Sequence, residues 1–135
     1  MIEEGKHQLN WSASQAQQFR VADDLRVSPF YEDGKTFGTP TWIWSVVVDG
    51  QLYIRAWHGQ KSRWYRSAVT QGSGKITIAG QNYLTTFKCV ENETLNRQID
   101  QAYQLKYGNS PYLLPMLANG PRSTTMQVLP RSERK

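Results

Sequence analysis

Hydrophobic and polar positions alternate along most of this chain, and helical spacing interrupts the alternation in three places. The first interruption follows Trp11. Ser12 can cap a helix, Gln15 completes a capping box, and Trp11 can staple against Ala16, which predicts a short helix to about Arg20. Residues 23–31 alternate weakly, with Leu25 and Val27 on one side and Arg26 and Ser28 on the other, as a strand does. Asp33-Gly34 reads as a hairpin turn. A long strand follows over 36–48, with Pro40 at an edge or bulge because it lacks an N–H. Asp49-Gly50 is a second hairpin turn and returns the chain as a strand over 51–57.

After a loop at 59–61, Ser62 is placed to cap a helix over 63–71 that Gly72 ends in the left-handed conformation. Strands over 75–80 and 83–90 pair around Gln81-Asn82. From Asn92 the positions Leu95, Ile99, Ala102 and Tyr103 keep helical spacing, with Gly108 as the stop. A proline-punctuated loop spans 110–121, and a last strand runs over 124–129. Six strands, mostly joined by hairpins, with three inserted helices predict a mainly β, six-stranded antiparallel barrel, because closure removes exposed edges. Residues 1–135 form one domain on this reading, with a frayed tail at about 131–135.

Composition narrows the class. Apolar residues at 39% and charged residues at 20% are those of a globular domain. No apolar run approaches a membrane span, and the polar start MIEEGKHQL lacks the apolar core of a secretory signal. One cysteine, Cys89, cannot form an internal disulfide, which suits the cytoplasm; it alternates within a strand and is expected to be buried. The net charge of +5 is scattered, and part of it sits in the C-terminal tail, so it reads first as a solubilising surface.

The hairpin around Asp49-Gly50 carries more information. Counting outward pairs Val48 with Gln51, Val47 with Leu52, Val46 with Tyr53 and Ser45 with Ile54. Trp44 then meets Arg55, Ile43 meets Ala56, and Trp42 meets Trp57. One face is aliphatic (Ile43, Ser45, Val47, Leu52, Ile54, Ala56) and suits a barrel interior. The other holds Trp42, Trp44, Val46, Tyr53, Arg55 and Trp57, where Arg55 could stack on Trp44. An aromatic face of this kind must be covered by helices, by a second subunit or by a planar ligand. Four of the five tryptophans lie within 39–65.

Just beyond, Lys61, Ser62 and Arg63 stand at a helix start, where free N–H groups and the dipole attract phosphate. Ser62 also reads as a simple N-cap. Aromatic wall, Arg55, Ser62 and Arg63 together suit a flat ring system that carries a phosphate. His7, His58 and Cys89 give no metal-ligand spacing, and neither a Ser/His/Asp grouping nor a glycine-rich phosphate loop is present. His58 and Tyr112 could reach a ligand, although an exposed loop and core packing respectively account for them.

The stretches SPFYEDGKTFGTPTWIWSVVVDGQLYIRAWHGQKSRWY and IDQAYQLKYGNSPYLLPML resemble the flavin-binding split barrels of the pyridoxamine-phosphate-oxidase-like superfamily, and within it a bacterial family of uncharacterised proteins. The resemblance implies a six-stranded split barrel, commonly a homodimer, with flavin mononucleotide (FMN) or deazaflavin at the dimer interface. It implies ring contacts from 39–44, including Thr39, Thr41, Trp42 and Trp44, and polar contacts from Arg55 and Ala56. A Ser-Arg-Lys segment holds the phosphate in the superfamily; here it reads Ser62, Arg63 and Trp64.

Two functions follow as expectations. One is a flavin- or deazaflavin-dependent oxidoreductase with an unspecified substrate. The other is a non-catalytic dimeric binding module that has lost the cofactor. Single-stranded nucleic acid ranks last, because the positive charge forms no stripe.

Overall fold

The computed structural model describes residues 10–131, so most of the expected frayed tail lies outside the described residues. Its centre is a seven-stranded, wholly antiparallel sheet in the order β2-β1-β5-β6-β7-β4-β3. The strands are β1 (Arg26–Pro29), β2 (Thr41–Trp42), β3 (Ser45–Val48), β4 (Gln51–Ile54), β5 (Ser73–Ile78), β6 (Gln81–Cys89) and β7 (Met126–Pro130). The outermost strands, β2 and β3, are separated in the chain by Ile43 and Trp44 alone. In a flat seven-stranded sheet those edges would stand roughly 29 Å apart. The intervening chain reaches only about 10 Å. The sheet must therefore curl until its edge strands approach where the link joins them, and it forms a half-barrel.

The six expected strands are all present, but the second is broken. Instead of one strand over 36–48, the chain makes an isolated Phe30–Phe37 bridge, pairs with β1 at β2, and pairs with β4 at β3. One stretch cannot follow both neighbours along its whole length as the sheet twists, so it changes partner at 43–44. The β3–β4 register is the one counted from the turn, Ser45–Ile54 through Val48–Gln51. Asp49 (φ 51°) and Gly50 (φ 77°) both adopt the positive φ that a type I′ turn requires.

Two other turns differ from expectation. At 33–34 only Gly34 has positive φ, and the Asp33 carboxylate instead accepts from the N–H groups of Lys35 and Thr36. Between β5 and β6 the turn is Ala79-Gly80, while Gln81 and Asn82 pair with Ile78 and Thr77.

Helix α1 (Ala13–Val21) starts at the predicted capping box, with Ser12 and Gln15 exchanging hydrogen bonds. Helix α2 (Arg63–Gln71) ends at Gly72, φ 71°. Helix α3 (Glu93–Tyr107) is capped by the Asn92 side chain on the N–H of Leu95. The expected loop at 110–121 contains two short helices, α4 (Leu113–Met116) and α5 (Asn119–Arg122), and a 3-10 turn spans Gly59–Lys61. Cys89 is exposed rather than buried, at the end of β6. No helix among the described residues is long and apolar enough to cross a membrane.

Two cores result from the alternation. Inside the curl, Val27, Leu52, Ile54, Ile76, Ile78, Met126 and Val128 are fully buried, and α1 and α2 close this core with Phe19, Trp64 and Ala68. Outside it, α3 and α4 cover β3 and β4, packing Ile99, Tyr103, Leu113 and Met116 on Val46 and Tyr53. The aromatic face is thus covered mainly by the chain's own helices.

Candidate functional site

The ladder between β3 and β4 ends at Ser45–Ile54. The pairs expected beyond it, Trp44 with Arg55 through Trp42 with Trp57, do not form. The strands part there, and Trp42, Ile43, Trp44, Arg55, Trp57 and Met116 line a pocket of about 200 Å³. On the β1 side, Ile43 donates its N–H to Leu25 (3.0 Å) and Thr41 pairs with Val27. By alternation the N–H and C=O of Trp42 point the other way, toward the parted side. Trp42 and Trp57 remain 68% and 40% exposed at the rim, and Trp57 meets His58 and Tyr112.

Arg55 does not stack on Trp44. Its guanidinium is fully buried and turns toward α3. Nε donates to the Thr125 hydroxyl (2.9 Å); one terminal nitrogen donates to Asp100 (2.6 Å) and the Met116 carbonyl (3.3 Å); the other donates to the Asn96 carbonyl and side-chain oxygen (3.2 and 3.1 Å). These bonds use all five guanidinium N–H groups. The ring beneath Arg55 is Tyr103, 5.2 Å away, and Trp44 stacks on Tyr107 instead, with centroids 4.0 Å apart. Asp100 also pairs with Arg122, which reaches Glu93, and Glu93 meets the exposed Arg97, so three cations share two carboxylates. A buried arginine needs an acid, and the acid comes from the helix that covers it.

The opposite side of the same strand is plugged. Ser45 lends its carbonyl to Lys106 Nζ (2.8 Å), and Tyr107 both donates to that carbonyl and accepts from the Ser45 N–H. Lys106 further donates to the carbonyls of Phe19 and Ala22, which ties the end of α1 to β3. Burial lowers the Lys106 ammonium to about 8 and raises the Tyr107 phenol to about 12. Desolvation also pushes up Tyr103, whose buried hydroxyl has no partner among the described residues.

A second, smaller pocket of about 120 Å³ gathers Thr39, Thr41, Arg63 and Trp64 with Tyr31 and Ser67. The sequence-predicted residues therefore divide: Trp42, Trp44 and Arg55 meet in one pocket, Thr39, Thr41, Arg63 and Trp64 in the other. Ala56 is buried in neither, its N–H bonded to the Thr124 hydroxyl (2.8 Å). Lys61 is exposed at the end of the 3-10 turn. Ser62 occupies the N-cap position of α2, but its side chain makes no capping bond. Among the described residues no side chain caps the first-turn N–H groups of α2, and Arg63 is exposed beside them. Trp64 is buried in the core and is a packing residue.

Sequence reasoning had Trp57 on the aromatic face, placed Ile43 in the barrel interior rather than in the pocket, and missed Met116 and the Asn96, Asp100 and Thr125 partners of Arg55. Asp100 is the only acid over 94–107, which marked it as the counter-charge for a covered arginine. Among the described residues no group of three or more His, Cys, Asp or Glu side chains could hold a metal.

No curated protein matches the chain. A solved structure does: the conserved hypothetical protein Rv2991 from Mycobacterium tuberculosis, at 14% identity and a TM-score of 0.63, over 98% of this chain and 87% of that one. At that identity the likeness concerns the fold. A family model extends over residues 15–128, and by that match the chain belongs to the family described as an uncharacterized protein conserved in bacteria, DUF2255.

Proposed function

We propose that the protein is an oxidoreductase of the flavin-binding split-barrel type that holds FMN or a deazaflavin along residues 39–44, as a homodimer. The observation that carries this reading is the parting of the ladder after Ser45–Ile54, which turns a barrel seam into an aromatic pocket. One short stretch lines both pockets, so a ligand lying along it touches the tryptophans at one end and the start of α2 at the other. Ser62 and Arg63 suit a phosphate there, with Lys61 alongside. When bound, the cofactor supplies the hydride or electron chemistry, while the protein positions it and sets its surroundings. The larger pocket is below the roughly 300–1,000 Å³ of a site that buries a drug-sized ligand. A second subunit over exposed Trp42 and Trp57 would complete it.

The test is a titration of purified protein with FMN, followed by flavin fluorescence and repeated with deazaflavin. Binding of FMN in preference to riboflavin, weakened by Arg63→Ala, supports the reading. Silence toward both cofactors at micromolar concentration sinks it.

One observation favours a second reading, a dimeric binding module without cofactor. Arg55 and Trp64, two residues that would hold the flavin, are committed to the fold. That reading predicts a colourless dimer indifferent to Arg63→Ala.

A further inference from the structure

The parted seam is walled by three tryptophans, an isoleucine, a methionine and one cation, Arg55. A cation in an aromatic pocket ordinarily announces an anionic ligand. Here the cation is already answered. All five of its N–H groups have acceptors within the protein, and Asp100 sits 2.6 Å from its guanidinium. Arg122, Glu93 and Arg97 extend the pairing, so Asp100 answers Arg55 and both acids of the cluster are already engaged. An incoming carboxylate would have to displace Asp100 or remain unpaired in an apolar wall, and either choice costs it its hydration without return.

The remaining lining sets the shape. Trp42 ends β2 and Trp57 lies in the turn that follows β4, on the two segments that diverge beyond Ser45–Ile54, and Ile43 and Met116 add apolar surface to the lining. The indole N–H of Trp42 is already spent on the Asp23 carbonyl (2.9 Å), whereas those of Trp44 and Trp57 have no partner among the described residues. Flat indole surfaces with a few spare donors receive planar molecules that bring a neutral acceptor.

We infer that this pocket binds an uncharged, planar, largely apolar molecule and discriminates against the corresponding carboxylate. Identifying that molecule with the ring of the cofactor rests on the flavin reading; the preference itself does not, and it is measured with no cofactor present.

The test compares two probes of nearly equal shape, 2-naphthamide and 2-naphthoate, by calorimetry on the full chain at neutral pH. The amide should bind, and the carboxylate should bind at least tenfold more weakly. Trp57→Ala and Trp42→Ala, both at exposed positions that leave the core intact, should each weaken the amide several-fold. Equal or tighter binding of the carboxylate would show that Arg55 is available, and overturns the inference. Binding of neither probe, or amide binding that neither tryptophan variant changes, overturns it equally. If the inference holds while FMN fails to bind, the flavin reading falls alone.

Discussion

Replacing Asp100 with asparagine removes one charge and almost no volume. Arg55 is fully buried, so its charge cannot turn to solvent when its partner is neutralised. Breaking a buried pair from one side costs about 3–5 kcal/mol, because the survivor is left uncompensated. Two features move this protein toward the lower end. The Asp100 side chain is 23% exposed, and an asparagine oxygen can still accept the bond that the carboxylate receives at 2.6 Å. An expectation of about 3 kcal/mol follows, a large share of the roughly 5–15 kcal/mol that holds a domain together. In urea, with a slope of about 2 kcal/mol/M, the midpoint should fall by about 1.5 M. The control is the pair Arg97–Glu93, also on α3 but 68% and 58% exposed at 3.5 Å. Arg97→Ala should cost no more than about 0.5 kcal/mol. A double-mutant cycle completes the test: in an Arg55→Met background, Asp100→Asn should cost far less, since the stranded charge is gone. A loss below about 1 kcal/mol for Asp100→Asn, or an equal loss in both backgrounds, would refute the argument that Arg55 is closed off and balanced only from within.

Other expectations follow from the same structure. In Asp100→Asn, if it folds, naphthoate should gain on naphthamide in calorimetry, because the cation behind the pocket is no longer answered. Lys106, lowered to about 8 from 10.5, resists protonation in the fold more than in the unfolded chain. The unfolded state therefore binds more protons between those values, and stability contributed at this site should rise as pH climbs from about 8 toward 10.5. Urea melts of wild type against Lys106→Met across that window should show the wild type gaining; a constant difference would count against it. Thr85 carries a buried hydroxyl with no partner among the described residues, so Thr85→Val should raise stability by about 1 kcal/mol, read as a higher melting temperature. A Cβ at Gly74 would stand 2.5 Å from the Pro29 Cα and the Ser28 carbonyl, so Gly74→Ala should force β1 and β5 apart. A loss of about 2 kcal/mol is expected from denaturant melts, with no change confined to the pockets.

How far the sequence could carry these conclusions depends on what each signal measures. Turn chemistry and alternation are local, and Asp49-Gly50 fixed a register of four pairs that the fold keeps. The same counting continued past Ser45, where nothing local announces that the strands part. What decides it is the far end of Arg55, held by residues 41 to 70 positions away in the chain. The aromatic face was legible as a face, but its cover was not: α3 supplies Tyr103 and Tyr107, and no spacing within the hairpin could name them. The turn at Ala79-Gly80 was missed for a different reason. Alanine rarely adopts φ of 52°, so Gln81-Asn82 was the more persuasive pair on composition.

The join at 43–44 has a mechanical consequence. It is all the backbone there is between the two outermost strands, so the mouth of the half-barrel is held at a set width by covalent length rather than by side-chain fit. Shortening or lengthening that link by one residue would exchange the faces of everything on one side of it, carrying the tryptophans inward or the aliphatic residues out. A two-residue insertion would keep the faces and loosen the aperture. The gauge of the opening is therefore written in the number of peptide units between Trp42 and Ser45.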